Sequence, residues 1–312
     1  MRIQKKTVSN KASGQDWRGG VLLVDKPSGP TSFDVIRQVR KAMHMKKVGH
    51  TGTLDPMASG LMVLCLGEAT RVVQYLTATD KTYEATVELG VESDTYDAEG
   101  EINRLVTAEQ ASAISTDVVR EALSTFSGWI EQVPPAFSAI KVDGERLYAK
   151  ARRGEEVTVP SRQVRIDRCD LLRRSGPDLS LRISCSKGTY IRSISHDLGR
   201  RLGCGGLLTS LRRTHVGQLD VSQAVSLDEI QSLEKTEIVE RCLSVGEALA
   251  EYPKVTMSWD NAKKLRFGQT LISSELPERD FLAYDPNFVL IALMQGRDEM
   301  GKTKILRGFP TV

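Results

Sequence analysis

The chain has 312 residues, 40% of them hydrophobic and 27% charged, which is typical of a folded protein with one sizeable domain and a smaller one. No apolar run approaches the roughly 18 residues that a membrane-spanning helix requires, so the sequence predicts no membrane span. The formal net charge is +3, but residues 1–60 contain 11 Lys and Arg against 4 Asp and Glu, whereas residues 84–131 contain 2 against 11.

The uneven distribution of charge bears on the kind of molecule that this protein binds. If residues 1–60 and 187–215 fold onto one surface, that surface would attract a polyanion such as a nucleic acid. Basic residues scattered over a solvated surface are the alternative, and charge alone does not decide between them. Five widely spaced cysteines without a CxxC pair predict reduced thiols rather than disulfides or zinc ligands. With an N-terminus that lacks a secretion signal, they predict a cytoplasmic protein.

The predicted elements begin after a polar segment, residues 1–19, that is expected to be a flexible tail. The run VLLV that follows predicts a buried strand. Thr31 and Asp34 have the spacing of a helix cap. The apolar stripe of the capped helix is predicted to consist of Phe33, Ile36, Val39 and Met43. LMVLCLG, at residues 61–67, fits a strand or a buried helical turn equally well, because a continuous apolar run has no period.

The middle of the chain combines clear periodicity with a long irregular segment. KTYEATVELG alternates apolar and polar residues and predicts a half-buried strand. TDVVREALSTFSG predicts a capped helix that ends at Gly128. Residues 133–160 are charged, contain proline and are weakly periodic. Loops of this length are uncommon in compact domains unless they are functional.

A strand and a helix follow in LSLRISCSKGTYIRSISHDLGRRLG. The strand alternates through Cys185, a KGT turn follows, and apolar residues then recur at helical spacing. Tyr190 and Arg192 are therefore predicted to lie at a junction between a strand and a helix. From residue 251 to 312 the chain changes to short strand-like runs, which predict a small β-rich module.

Common cofactor and metal motifs are missing from the sequence. No GxxxxGK[ST] loop is present, and GCGGLL has leucine where a GxGxxG fingerprint requires its third glycine. The four histidines form no HExxH or Cys/His cluster, and there is no GxSxG elbow. The sequence thus predicts neither a cofactor nor a metal site. A pair of facing carboxylates of the glycosidase kind stays open, because sequence spacing does not reveal it.

Asp55 stands in a glycine-rich stretch, GHTGTLDPMASG, at residues 49–60. Taken alone, such a stretch is also typical of a solvated turn. It acquires a meaning from four other motifs: DKPSGPTS, KTYEA, KGTYIR and GCGG followed by SLRR. In this order, over about 190 residues, the five motifs resemble the TruB family of tRNA pseudouridine synthases. The resemblance extends from about Val21 to Leu243, and the C-terminal module resembles that family's small RNA-binding PUA-type domain.

The resemblance implies a function and a fold. The family isomerises uridine to pseudouridine in the T-loop of tRNA (position 55 of the RNA), by flipping the base out and using one aspartate, with neither metal nor cofactor. The implied fold is α/β, with a mixed, largely antiparallel central sheet, flanking helices and a catalytic cleft. Residues 20–250 would form the catalytic domain and residues 251–312 the PUA-like domain. The implied partner is the T-arm of tRNA, bound by a monomer that needs no protein partner.

The resemblance also assigns roles to individual residues. Asp55 matches the catalytic carboxylate, Arg192 the arginine that pairs with it, and Tyr83 the tyrosine that stacks on the target base. From the residues alone, Tyr83 equally fits a core position and Arg192 a surface phosphate contact. Further residues match substrate-binding positions of the family, in the pocket, in the DKPxG motif or in a mobile loop at residues 133–160: His50, Tyr190, Leu211, Lys26, Lys141 and Arg146.

Two questions stay open at the level of sequence. The aspartate could attack C6 of the base, attack C1′ of the ribose or remove a ribose proton, because each route needs only a carboxylate. The chain could also be an RNA-folding factor that uses the same surface, or a guide-RNA-dependent relative that needs partner proteins. Residues 133–160 and the short C-terminal module favour an enzyme that acts alone.

Overall fold

A large mixed sheet organises the part of the chain that the computed structural model describes, namely residues 17–137, 141–142, 145–146 and 159–309, with 141–142 and 145–146 described by their backbone alone. In chain order the strands are β1 (Val21–Lys26), β2 (Val48–His50), β3 (Ser59–Leu66), β4 (Lys81–Leu89), β5 (Val91–Ser93), β6 (Ile102–Arg104), β7 (Gly128–Gln132), β8 (Lys141–Val142), β9 (Glu145–Arg146), β10 (Arg162–Ser175), β11 (Asp178–Cys185), β12 (Gly206–Val216), β13 (Leu219–Asp220), β14 (Val225–Ser226), β15 (Lys254–Thr256), β16 (Phe281–Tyr284), β17 (Leu290–Met294) and β18 (Ile305–Gly308). The helices are α1 (Ser32–Ala42), α2 (Val73–Ala78), α3 (Ala108–Ala113), α4 (Thr116–Ser124), α5 (Ile191–Arg201), α6 (Leu227–Ser232), α7 (Lys235–Arg241), α8 (Val245–Ala248) and α9 (Trp259–Arg266), with 3-10 turns at Gly67–Val72 and Val221–Gln223.

Within the described residues, ten strands form the main sheet in the order β14, β1, β3, β12, β4, β11, β10 and β7, with β2 beside β3 and β13 beside β12. The pairs β1–β14 and β3–β12 are parallel. The pairs β1–β3, β4–β12, β4–β11 and β10–β11 are antiparallel. The predicted fold class, a mixed and largely antiparallel sheet with flanking helices, is therefore confirmed. Strands β3, β12 and β4 are neighbours, which places the motifs they carry next to one another.

The burial of the strands explains which of them the sequence could identify. In β4 the residues from Lys81 to Leu89 alternate strictly between buried and half-buried, as the KTYEATVELG pattern predicts. In β3, by contrast, every residue after Ser59 is buried. Met62 and Leu64 pack into one core while Leu61 and Val63 pack into another, on the opposite face of the sheet. A strand buried on both faces shows no alternation, so the run LMVLCLG is a strand that its pattern could not distinguish from a helix.

The first helix begins as its sequence predicts. Thr31 accepts a hydrogen bond from the backbone of Asp34, and the Asp34 side chain accepts one from the backbone of Thr31. The predicted apolar stripe is wrong in one member, because Phe33 is 62% exposed. Val35 is buried instead, since the arc of α1 that faces the sheet is displaced from Phe33.

The predicted end of the helix TDVVREALSTFSG is also wrong. Helix α4 ends at Ser124, and Gly128 is the first residue of β7. The backbone leaves the helix early and directs Phe126 into the core, where it is 2% exposed. Gly128 then adopts a φ of 88°, which a residue with a side chain rarely does, and this starts the strand.

A separate four-stranded sheet, β15–β16–β17–β18, follows the main sheet, together with α9. This confirms a small β-rich module at the C-terminal end. Its Leu282 and Leu293 pack with Leu23 and Val63 of the main sheet in one apolar cluster. At the other end of the described chain, Trp17 packs against the main core, inside the predicted tail. Among the described residues no helix is long and apolar enough to cross a membrane.

Candidate active site

The turn between β2 and β3 carries Asp55, and buried side chains hold the backbone on both sides of it. Ser32, at the start of α1, donates a hydrogen bond from Oγ to the Leu54 carbonyl and accepts one from the Leu54 amide, both at 2.8 Å. The Lys26 ammonium, at the end of β1, donates to the carbonyls of Pro27, Pro56 and Ala58. Since Lys26 is fully buried, these contacts fix the turn rather than bind solvent.

Arg192 is the immediate partner of Asp55. Its Nε lies 3.0 Å from Asp55 Oδ2, and its Nη1 lies 3.2 Å from Asp97 Oδ2. The guanidinium also donates to the carbonyls of Thr95 and Phe137, both at 3.1 Å. Arg192 is only 5% exposed. The first turn of α5 thus delivers one buried cation that joins two carboxylates from different segments of the chain.

The surroundings of Asp55 act on its charge in opposite directions. Burial raises the pKa of Asp55 above its ordinary value, the Arg192 guanidinium lowers it, and the Asp97 carboxylate raises it again, with a net upward shift. Burial likewise lowers the pKa of Lys26 to about 8. Asp55 is therefore a half-buried carboxylate, 32% exposed, whose ionised form is favoured by its arginine, an environment that is typical of catalytic groups.

Asp97 belongs to the candidate site although its sequence context did not reveal it. It is 2% exposed and its Oδ1 accepts hydrogen bonds from the Thr95 hydroxyl at 2.6 Å and from the Glu99 amide at 3.1 Å. The stretch ESDTYDAEGE around it has the composition of a solvated turn. Its burial and its contact with Arg192, 95 positions later in the chain, distinguish Asp97 from the other acidic residues of that stretch.

Tyr83 and Leu211 lie on the neighbouring strands β4 and β12. They are 9% and 7% exposed, and both belong to the main apolar core. Burial raises the pKa of Tyr83, and the nearby Asp55 carboxylate adds to that shift. The Asp55 charge therefore acts on the Tyr83 phenol.

Tyr190 and His50 lie at the borders of the candidate site. Tyr190 precedes α5, and its backbone amide and carbonyl are both bound by the Gln132 side chain, at 2.8 and 3.0 Å. The Arg162 guanidinium stands over its ring, 4.6 Å from the centroid. His50 ends β2, and its Nδ1 accepts a hydrogen bond from the Gly52 amide at 3.1 Å. Burial lowers the pKa of His50, which favours a neutral imidazole.

Lys141 and Arg146 are the predicted substrate-binding residues of the segment 133–160. Their backbones form a two-residue strand pair, with Lys141 opposite Arg146. Their side chains, and most of the segment around them, lie outside the described residues.

Comparison with models of known protein families identifies the family of this chain. Residues 40–191 match the model of the TruB family pseudouridylate synthase N-terminal domain, and residues 192–250 match that of the tRNA pseudouridylate synthase B C-terminal domain. The chain belongs to the TruB family. It is 46% identical over 229 residues to a tRNA pseudouridine synthase B of Opitutus terrae, covering 73% of this chain and 94% of that protein. It is 45% identical over 262 residues to one of Burkholderia pseudomallei, covering 83% and 85%.

Solved structures agree with this family at the level of fold. An H/ACA ribonucleoprotein bound to a substrate RNA containing 2′-deoxyuridine contains a chain with a TM-score of 0.68 and 23% identity, covering 94% of this chain and 85% of that one. A Cbf5–Nop10–Gar1 complex contains one with a TM-score of 0.68 and 23% identity, covering 97% and 91%. Membership of the TruB family makes this chain a pseudouridine synthase, an isomerase. It explains why the DKPSGPTS, GHTGTLDP and KGTYIR motifs meet around one carboxylate.

The double hydrogen bond of Ser32 predicts a role in shaping this turn. If Asp55 takes part in the chemistry, Ser32→Ala should lower kcat about 10-fold with little change in KM, because a displacement of the Asp55 turn by less than an ångström is costly to catalysis. The Leu54 amide and carbonyl would lose their buried partner, so the free energy of unfolding should fall by about 1–3 kcal/mol.

Single-turnover kinetics and urea denaturation measure these effects. Ser28→Ala is the matched control, because Ser28 donates to the Met57 carbonyl of the same turn at 3.0 Å but is exposed. Equal losses in the two variants would contradict the assignment.

Proposed function

We propose that this chain converts a uridine in the T-loop of tRNA, at position 55 of the RNA, to pseudouridine, with Asp55 as the catalytic carboxylate. The observation that carries the proposal is the ion pair at 3.0 Å between the buried Arg192 and the half-buried Asp55, in a chain whose relatives at about 45% identity are tRNA pseudouridine synthases. The rest of the catalytic assignment follows from what the reaction requires of that pair.

The reaction requires a carboxylate at the point where the base leaves its sugar. The bond from N1 to C1′ breaks, the base turns while it is held, and C5 bonds to C1′. Asp55 can act as nucleophile or base only when it is ionised, and burial opposes ionisation. Arg192 offsets that effect and orients Oδ2 through its Nε. Attack at C6, attack at C1′ and removal of a ribose proton all use the same ionised oxygen.

The target base must leave the T-loop to reach Asp55. Flipping a nucleotide out of a stack costs a few kcal/mol, which contacts in the protein must offset. Tyr83 and Leu211 would contact the flipped uracil, and Tyr83 would assist removal of the C5 proton. His50, at the border of the site, would fill the position that the base vacates. Tyr190 would hold the shape of the site beside Arg192, and Lys26 would support its floor.

The RNA would be held mainly through its phosphates. Within residues 187–215 the exposed basic residues are Lys187, Arg200 and Arg201, and Lys141 and Arg146 belong to the segment that would close over the T-arm. Such contacts bind without reading sequence and weaken with salt. Residues 20–250 would form the catalytic domain, and residues 251–312 a PUA-like RNA-binding domain. The chain would act as a monomer without a protein partner.

Release of tritium from transcript tRNA labelled at uridine C5 tests this proposal. The purified chain alone should release about one label per tRNA, and none from tRNA whose T-loop uridine is replaced by cytidine. Binding without release would favour the RNA-folding factor. Release only after a guide RNA and further proteins are added would favour the guide-dependent enzyme, and release from other uridines would contradict the T-loop assignment.

A further inference from the structure

Arg213 is a buried cation in the middle of the main sheet. It is 1% exposed, and its Nε donates to the Leu61 carbonyl at 2.7 Å while its Nη2 donates to the Gly52 carbonyl at 3.1 Å. Among the described residues no carboxylate forms an ion pair with it, although Arg192, Arg212 and Arg266 each have one. A buried charge without a counter-ion is costly, so its retention calls for a reason.

The position of Arg213 supplies that reason. Strand β12 lies between β3 and β4, and Arg213 is in register with Gly60 on one side and with Tyr83 on the other. Directly opposed residues of an antiparallel pair project from the same face at about 5 Å. The guanidinium reaches Gly52, inside the turn that carries Asp55. Arg213 therefore connects the catalytic turn to the tyrosine of the candidate site.

The charge of Arg213 acts on the Tyr83 phenol, which lies opposite it on the neighbouring strand. Burial raises the pKa of Tyr83, the Arg213 guanidinium opposes that rise, and the Cys185 thiol and the Asp55 carboxylate add to it, so the net shift is upward and Arg213 limits it. Arg213 is thus the cation that favours the ionised phenol. Direct binding of an RNA phosphate is a poor alternative, because the side chain is buried and hydrogen-bonded to backbone carbonyls.

We propose that Arg213 is a positioning residue for the last chemical step, in which its buried charge stabilises Tyr83 as the tyrosinate that accepts the C5 proton. In that step the C5–H bond breaks, the proton goes to Tyr83 Oη, and the C–H electron pair forms the C5=C6 bond. The pair displaced at C6 moves to N1, which takes up a proton, or returns to the Asp55 carboxylate if that is bonded to C6. The inference rests on the proposed function.

A double-mutant cycle with Tyr83→Phe tests this step. Arg213→Met should slow single-turnover pseudouridine formation about 100-fold, the size of a general-base contribution, and should raise the isotope effect measured with deuterium at C5. Arg213→Lys keeps the charge and should recover most of the rate. Arg213→Met combined with Tyr83→Phe should be no slower than Tyr83→Phe alone, because the two residues would serve one proton transfer.

The outcomes separate this inference from the proposed function. If the wild-type chain leaves the T-loop uridine unchanged, the proposed function fails. If the wild type is active but the rate losses of Arg213→Met and Tyr83→Phe multiply in the double variant, the inference is overturned. It is also overturned if Arg213→Met leaves the isotope effect unchanged. In either case Arg213 only stabilises the sheet. If Arg213→Met does not fold, Arg213→Lys takes its place. The pH at which Tyr83 ionises is then measured in the wild type and in Arg213→Lys, as the tyrosinate absorbance that is missing from Tyr83→Phe. Ionisation of Tyr83 at the same alkaline pH in the wild type and in Arg213→Lys supports the role of charge. A large rise of that pH in Arg213→Lys contradicts it.

Discussion

Asp55→Asn should reduce pseudouridine formation by roughly 10⁴-fold or more, as removal of a catalytic group does in other enzymes, while folding and RNA binding stay close to those of the wild type. The amide has the shape of the carboxylate but neither its charge nor its nucleophilicity. Folding should tolerate the change because Arg192 keeps Asp97 as its ionic partner, at 3.2 Å. Burial already disfavours the ionised form of Asp55, so a neutral side chain relieves one desolvation cost.

Three measurements on the same protein check this expectation: single-turnover conversion of transcript tRNA, RNA affinity by filter binding, and urea denaturation. The matched control is Asp80→Asn, which removes an aspartate paired with Arg165 at 2.7 Å on the surface. Exposed pairs of this kind contribute little to stability, so the control should retain activity within a factor of about two. Conversion by Asp55→Asn at a comparable rate would remove Asp55 from the catalytic role.

The contrast between Asp55 and Asp97 indicates how far the sequence determines the site. Asp55 could be predicted because the motif GHTGTLDP carries it, and Arg192 because KGTYIR does. Asp97 stands among acidic residues that individually resemble turn residues, and its partner lies on a helix from another part of the chain. Tertiary contact, rather than local pattern, selects it. Arg213 was missed for the related reason that an arginine in a strand gives no sign that it will be buried.

The secondary structure shows the same difference. Local sequence patterns predicted some strands and helices, whereas other features depend on tertiary contacts. Strand β4 was predictable because one of its faces is half-exposed, so its sequence alternates. Strand β3 is covered on both faces and its sequence is uniformly apolar. The exposure of Phe33 depends on where the sheet meets α1, which the helical period cannot specify. The mixed, largely antiparallel arrangement of the sheet came from the family resemblance alone, and the order of its strands was not predicted.

Arg192→Met should affect both catalysis and stability, unlike Asp55→Asn. Without the guanidinium, the buried carboxylate of Asp97 and the half-buried carboxylate of Asp55 would both lack this cation. Removal of one partner from a buried pair typically costs about 3–5 kcal/mol, so the free energy of unfolding should fall by that order. Pseudouridine formation should fall about 10³-fold or more, because the pKa of Asp55 would rise further and the orientation of Oδ2 would be lost.

A second substitution separates these two effects of Arg192. Asp97→Asn in the Arg192→Met background removes one of the two opposed carboxylates, so it should restore part of the unfolding free energy measured in urea. It should restore little of the single-turnover rate, because Asp55 would still lack the cation that keeps it ionised. Arg192→Lys should fall between, since an ammonium keeps the charge but cannot bridge Asp55, Asp97 and two carbonyls as the guanidinium does. Recovery of the rate together with stability would mean that Arg192 serves folding alone, and the pairing with Asp55 would then have no part in the chemistry.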